Sequence, residues 1–221
     1  MGRHLSATKG TTMSERTRQP TSHERMSGRP WDASYQDGPA PWEFGGPQPA
    51  VVQLVSEGAF RGAVLDAGCG SGDNALLIAS SGVPVVGFDV AETALARARE
   101  KAVELGVDAE FVAADALQLD ELGRRFDTIL DSGLLHTFDA GERSQYVVSL
   151  ASVANPGATL YVVCFSDEEP DAVPHPISQT DLQTAFPADS GWTIVSIEPR
   201  RIETRMHEHG APGWLATVRR N

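Results

Sequence analysis

The stretch VLDAGCGSGDNALLIA, residues 64–79, constrains the fold more than any other part of the chain. A short β-branched run ends at Asp66, glycines follow at 68, 70 and 72, and an apolar helical pattern takes over from Asn74. A strand that feeds a helix through a glycine turn is the first half of a βαβ unit, and such units are right-handed. The turn also brings backbone and helix N-terminal N–H groups close to whatever binds there.

The same alternation continues downstream. Pro47 to Glu57 carries apolar residues at helical spacing, with prolines at its start where a missing N–H does no harm. Strands are predicted at Val64–Asp66, Val85–Asp89, Glu110–Ala113, Phe126–Leu130 and Ala158–Phe165. Helices are predicted at Asn74–Ser80, Ala91–Leu105 and Glu142–Ala154, the last closed by the loop Asn155-Pro156-Gly157. Ala91–Leu105 should bury a stripe of Leu95, Ala98, Ala102 and Leu105, with Gly106 as its stop. Thr193–Glu198 and Trp214–Arg219 read as two strands with no helix between them, an antiparallel hairpin at the sheet edge. The expected class is α/β, a Rossmann-like, mostly parallel sheet with antiparallel C-terminal strands, in one domain over residues 31–221.

Composition removes several kinds of partner. The net charge of -12 argues against nucleic acid and anionic membranes. No apolar run approaches the ~20 residues that span a bilayer. Residues 1–30 hold six Lys/Arg against two Glu and few large apolar groups, so they read as a disordered basic tail, with Met13 or Met26 as alternative starts. The tail lacks the apolar core of a secretory signal, and Cys69 and Cys164 read as free thiols, which together imply a cytoplasmic protein. His207 and His209 have metal-pair spacing but no supporting ligands, so no metal is expected, and Asp167–Asp171 reads as a solvated loop.

The glycine spacing is G-x-G-x-G, whereas a dinucleotide fingerprint is G-x-G-x-x-G. Asp66 at the loop mouth is ill suited to a pyrophosphate and suits a ligand with a cationic end. Asp89 ends the second strand, where a carboxylate can accept both hydroxyls of a ribose. Asp115, in FVAADA after the third strand, can accept from the exocyclic amine of an adenine. Adenine, ribose and a cationic amino acid together describe S-adenosylmethionine.

The ordered set VLDAGCGSG, VVGFDV, AADA and FDTILDSGLLH resembles class I S-adenosylmethionine-dependent methyltransferases over about residues 60–165. The resemblance implies a seven-stranded sheet with a reversed terminal hairpin. It implies that Asp66, Gly68, Gly70 and Gly72 line the methionine part of the cofactor, Asp89 and Val90 the ribose, Asp115 and Ala116 the adenine, and Asp131 the wall after strand four. S-adenosylhomocysteine would be the product. A nucleotide-fold protein that binds the cofactor as a sensor, without transfer, is the rival from another class.

Residues 31–46 carry Trp31, Tyr35, Trp42 and Phe44 among prolines and glycines, a poor pattern for a strand or helix. They read as a lid over a pocket or as a plug on the core. This segment resembles the small-molecule branch of the family, which includes thiopurine, thiol and halide methyltransferases and bacterial enzymes that O-methylate quinones and hydroxylated heterocycles. In that branch, rings at the positions of Trp31, Tyr35 and Trp42 pack on the cofactor. The expected reaction is O-methylation of a small aromatic acceptor by a monomer or homodimer, with thiol or halide methylation as the alternative.

On the acceptor side, His136 in DSGLLHTF follows strand four and is the candidate base, or else a structural histidine bonded to backbone. Phe138, Phe165 and His175 are candidate substrate walls, and Ser178 or Thr180 should cap a short helix after His175.

Overall fold

A computed structural model describes residues 18–168 and 175–221. The strands are β1 (Val64–Ala67), β2 (Val85–Asp89), β3 (Glu110–Ala113), β4 (Phe126–Ser132), β5 (Ala154–Phe165), β6 (Trp192–Thr204) and β7 (His207–Arg220). They form one sheet of order β3-β2-β1-β4-β5-β7-β6. Pairing is parallel from β3 to β5 and antiparallel at β5–β7 and β6–β7. The order reverses between β1 and β4, and ligands of open α/β sheets bind at the carboxyl ends of strands at such a switch point.

Six α-helices accompany the strands among the described residues: α1 (Ser22–Ser27), α2 (Pro49–Ser56), α3 (Asp73–Ser80), α4 (Glu92–Leu105), α5 (Ala140–Val153) and α6 (Gln179–Ala185). The alternation of side chains along β5 divides the core in two. Leu160, Val162 and Cys164 face α5 and α6 with Leu150, Leu182 and Trp192. Val163 and Phe165 lie on the other face, in the cluster that holds Val51, Leu76 and Leu95 of α2, α3 and α4. Burial of each such Leu or Val contributes about 1.5–3 kcal/mol, which is why this pattern outweighs local propensity.

Three expectations need correction. Residues 18–30 are ordered, although the sequence reading placed them in a disordered tail. Thr21 and Glu24 form a capping box on α1, and Gly28 closes it in the left-handed region at φ 67°. Residues 1–17 lie outside the described residues, as do 169–171 of the acidic loop. Leu105 is exposed, while Leu95, Ala98 and Ala102 are buried as expected. It is the last residue of α4, just before the left-handed Gly106, where the helix has run past the sheet. Asn155-Pro156-Gly157 lies within the span of β5, where pairing with β4 jumps from Phe126↔Ala154 to Thr128↔Thr159 and leaves those residues as a bulge.

Candidate functional site

The glycine loop joins β1 to α3, and its backbone requires glycine. Gly68, Gly70 and Gly72 have φ of 67°, 52° and 83°, a region that residues with a Cβ rarely adopt. A Cβ on Gly70 would sit 2.9 Å from the Tyr35 hydroxyl, and one on Gly72 would sit 2.8 Å from the Ala98 Cβ. The loop is pinned from two sides. Gly70 N–H donates to Asp89 Oδ2 at 2.9 Å, and Ser71 N–H donates to Glu43 Oε1 at 3.2 Å.

Two carboxylates lie buried beneath this loop. Asp66 accepts from the Ala75 N–H in the first turn of α3, but its Oδ2 is buried with no hydrogen-bond partner. Burial, then the nearby Asp131, pushes its pKa up to about 7. Asp131 accepts from the N–H groups of Leu134 and Leu135 at 3.0–3.2 Å, and burial raises it to about 6 despite those donors. Asp89 spends one oxygen on Gly70 and the other on the Ala91 N–H at 2.9 Å, and burial raises its pKa as well. Each ionised oxygen has two lone pairs, so Asp89 retains capacity for further donors.

One cavity at the switch point brings together Trp31, Tyr35, Trp42, Gly68, Gly70, Gly72, Asp89, Val90, Ala116, His136, Phe165 and His175. Asp66, Asp115, Asp131 and Phe138 are not among its lining residues. Asp115 caps a 3-10 turn through the Leu117 N–H at 2.9 Å, with Ala116 reaching the cavity in its place. Phe138 is buried against Tyr146, ring centroids 5.1 Å apart, in the α5 cluster.

Residues 31–46, the segment read as a lid or a plug, line this cavity with Trp31, Tyr35, Trp42, Glu43, Phe44 and Gly46 and are held by specific contacts. The Asp32 carboxylate accepts from the Thr93 N–H and hydroxyl at 2.7 and 2.9 Å. Arg97 donates to the carbonyl oxygens of Gly38 and Tyr35. Trp42 Nε1–H donates to the Tyr35 hydroxyl at 3.1 Å, and Trp31 meets Trp42 edge-on at 5.5 Å.

His136 is buried at the end of the β4 segment, its ring centroid 5.0 Å from Phe165. Its Nδ1 is buried without a hydrogen-bond partner among the described residues. Burial pushes its pKa down to about 3, with the imidazoles of His175 and His23 adding to the fall. The ring is therefore neutral near pH 7 and a much weaker base than a solvated histidine. The sequence reading assigned it ordinary titration because burial is a tertiary property.

The cavity also holds residues that the sequence reading missed. His23, Glu43, Thr204 and Met206 all line it. Glu43 had a legible signal, an acid set between the rings of Trp42 and Phe44. His23 had none, because the surrounding sequence looked like tail. Thr204 and Met206 arrive on the β6–β7 turn, which is tied to the lid by Arg205 Nε–H donating to the Glu43 carbonyl at 2.8 Å. Among the described residues, no group of three or more His, Cys, Asp or Glu is placed to hold a metal ion, and no helix is long and apolar enough to cross a membrane.

This arrangement fits S-adenosylmethionine. A buried carboxylate oxygen without a donor lies below the glycine loop, and an acidic strand end lies beside it. Fold, loop and carboxylates define a class I S-adenosylmethionine-dependent methyltransferase, and the comparisons agree. A family profile described as a methyltransferase domain matches residues 64–157. The 2-heptyl-1-hydroxyquinolin-4(1H)-one methyltransferase of Mycobacteroides abscessus is 37% identical over 166 residues, 73% of this chain and 72% of that protein. A structure solved in work on conversion of a disulfide bond into a thioacetal group during echinomycin biosynthesis is 38% identical, with a TM-score of 0.75, covering 82% of this chain and 85% of that one. Magnesium protoporphyrin IX methyltransferase from Synechocystis, solved with bound S-adenosylmethionine, is 26% identical with a TM-score of 0.61, covering 78% of this chain and 76% of that one. The chain belongs to this methyltransferase family and uses S-adenosylmethionine.

Proposed function

We propose that this enzyme methylates the hydroxyl of a small, flat aromatic acceptor. The observation that carries the reading is His136, which lines a cavity walled by Trp31, Trp42 and Phe165 and whose Nδ1 is buried without a partner. A polar atom left unpaired in apolar surroundings is stabilised by a ligand that supplies its partner. The relative from Mycobacteroides abscessus, named for a hydroxylated heterocycle, supports the same class of acceptor.

S-adenosylmethionine supplies a methyl group on a sulfonium, ready for in-line displacement. The chain's own residues have three tasks. Asp66 Oδ2 would take the cofactor's ammonium end, Asp89 would take the ribose hydroxyls, and Trp31, Tyr35 and Trp42 would pack over the cofactor. The lid excludes water and restricts the acceptor to few orientations, and such alignment is worth up to about 7–11 kcal/mol in favourable systems. His136 accepts the acceptor's O–H hydrogen bond as a neutral imidazole. With a pKa near 3 it orients the hydroxyl and does not hold its proton, which is released to solvent as the O–CH3 bond forms and the S–CH3 bond breaks, so acidic hydroxyls are the favoured substrates. Free Cys69 and Cys164 support a reducing, cytoplasmic setting.

A sulfur acceptor is the second reading, favoured by the 38% identical structure from disulfide-to-thioacetal chemistry. Incubation with labelled S-adenosylmethionine and a panel of phenols, hydroxyquinolones, thiols and iodide, followed by mass spectrometry of products, separates the two. Label on thiols with none on any oxygen acceptor would defeat the proposal.

A further inference from the structure

The segment from Arg18 to Trp31 reaches the cavity at His23 and Trp31. At one end Arg18 pairs with Glu24 at 2.5–2.7 Å. At the other, Ser22 and Arg25 hold Glu142 of α5 at 2.5–3.0 Å, and Ser22 Oγ donates to the Thr137 carbonyl. Between these anchors stands His23. Its ring stacks on Trp31 with centroids 4.2 Å apart and planes at 12°. Its Nδ1 lies 2.9 Å from Nε2 of His175, which comes from the chain just before α6.

A nitrogen–nitrogen contact of that length is a hydrogen bond, so one ring carries the hydrogen and the other the lone pair. The tautomers of the two rings are thereby linked, and the pair presents one N–H and one lone pair on its outer nitrogens. Glu43, Asp73 and Asp89, the carboxylates that line the cavity, are engaged elsewhere: by Ser71 and Ala40 N–H groups, by Lys101, and by Gly70 and Ala91 N–H groups. The cavity is also lined by the imidazoles of His23, His136 and His175. His136 serves the reacting hydroxyl, which leaves the His23–His175 pair for something else.

We propose that the His23–His175 pair is a specificity-determining site that receives a second oxygen, a hydroxyl or carbonyl, on the same aromatic acceptor. The inference rests on the hydroxyl-acceptor reading above. A site built to hydrogen-bond a substrate group discriminates against the analogue that lacks it, because its own polar atoms are then left unpaired. The flat His23–Trp31 stack adds the wall against which such a ring lies.

The test compares phenol with catechol, resorcinol and hydroquinone, which place a second hydroxyl ortho, meta and para. The full-length wild type should favour at least one diol over phenol by about tenfold in kcat/KM, equivalent to about 1.4 kcal/mol. His23→Phe keeps a flat ring against Trp31 and should lose that preference, the diol's kcat/KM falling to that of phenol, while the Kd for S-adenosylhomocysteine changes less than about twofold. His175→Phe should behave alike, and His23→Gln should recover part of the preference. A diol preference that survives in both Phe variants, or a wild type without one, overturns the inference and leaves the O-methylation reading intact. Methylation of thiols with no transfer to any of the four phenols overturns both.

Discussion

Replacing Asp66 by asparagine tests the core of the cofactor site, and the structure sets the sizes of its effects. In the protein alone Asp66 is fully buried, with Oδ2 unpartnered and a pKa near 7. Because the folded value is raised, this group's contribution to stability is fully present below the unfolded value of 3.8 and is lost as pH rises through about 7. The gap corresponds to roughly 4 kcal/mol at most, shared with its neighbour Asp131. D66N removes that burden, so the ligand-free variant should melt higher than the wild type at pH 8.

Binding must show the opposite. A cationic ammonium beside Asp66 favours its ionised form, so S-adenosylhomocysteine should expel the proton. For a group titrating near 7, about 0.9 proton leaves at pH 6 and about 0.5 at pH 7. Isothermal titration calorimetry in buffers of different ionisation enthalpy reads this number directly. D66N should show no such buffer dependence at pH 6 and should bind S-adenosylhomocysteine about 10- to 100-fold more weakly, the worth of one charge-assisted hydrogen bond. Wild-type heats that are the same in every buffer at pH 6 and 7 would refute the assignment of Asp66 to the ammonium.

The other predictions follow from single contacts. His136→Ala should lower kcat for a phenolic acceptor by about 10- to 100-fold and leave the Kd for S-adenosylhomocysteine within about twofold, which steady-state kinetics and calorimetry can check. His136 has a lowered folded pKa, so its neutral form is free of penalty above about 6.5 and stability falls as pH drops toward 3. Between pH 6.5 and 5 this amounts to roughly 2 kcal/mol, and urea unfolding of His136→Phe should show a correspondingly smaller acid loss. Glu142→Ala removes the anchor of Ser22 and Arg25 together with the reciprocal cap of α5, so trypsin should cut after Arg25 faster and unfolding should become about 1 kcal/mol easier. Gly72→Ala places a Cβ 2.8 Å from Ala98 at φ 83°, and denaturant titration should register a loss of about 2–3 kcal/mol.

The parts of the site that local chemistry specifies were legible in the chain. Gly68, Gly70 and Gly72 announce positive φ, and carboxylates at strand ends announce donors to be met. Trp31, Tyr35 and Trp42 announced a covering segment, and all three line the cavity. Phe138 and Phe165 show where such reading stops. Phe165 ends β5 and Phe138 lies six residues past β4, yet Phe165 reaches the cavity and Phe138 packs on Tyr146, because burial depends on which face of the sheet each meets. Asp115 differs from Asp89 for a related reason: its carboxylate closes the turn after β3, while Asp89 binds the glycine loop.

Sequence alone therefore determined the alternating strands and helices, the mostly parallel sheet and the glycine loop, each set by residues within a few positions of one another, and pointed to the cofactor through the resemblance that four such segments carry together. The tertiary structure decided the charge state of His136, the orphaned oxygen of Asp66 and the placement of His23 at the cavity. Those depend on desolvation and on partners far along the chain: Glu142 holds Ser22 from 120 positions away, and His175 meets His23 from 152. Neither distance leaves a periodic mark in the sequence, because a hydrogen bond needs only one residue at each end.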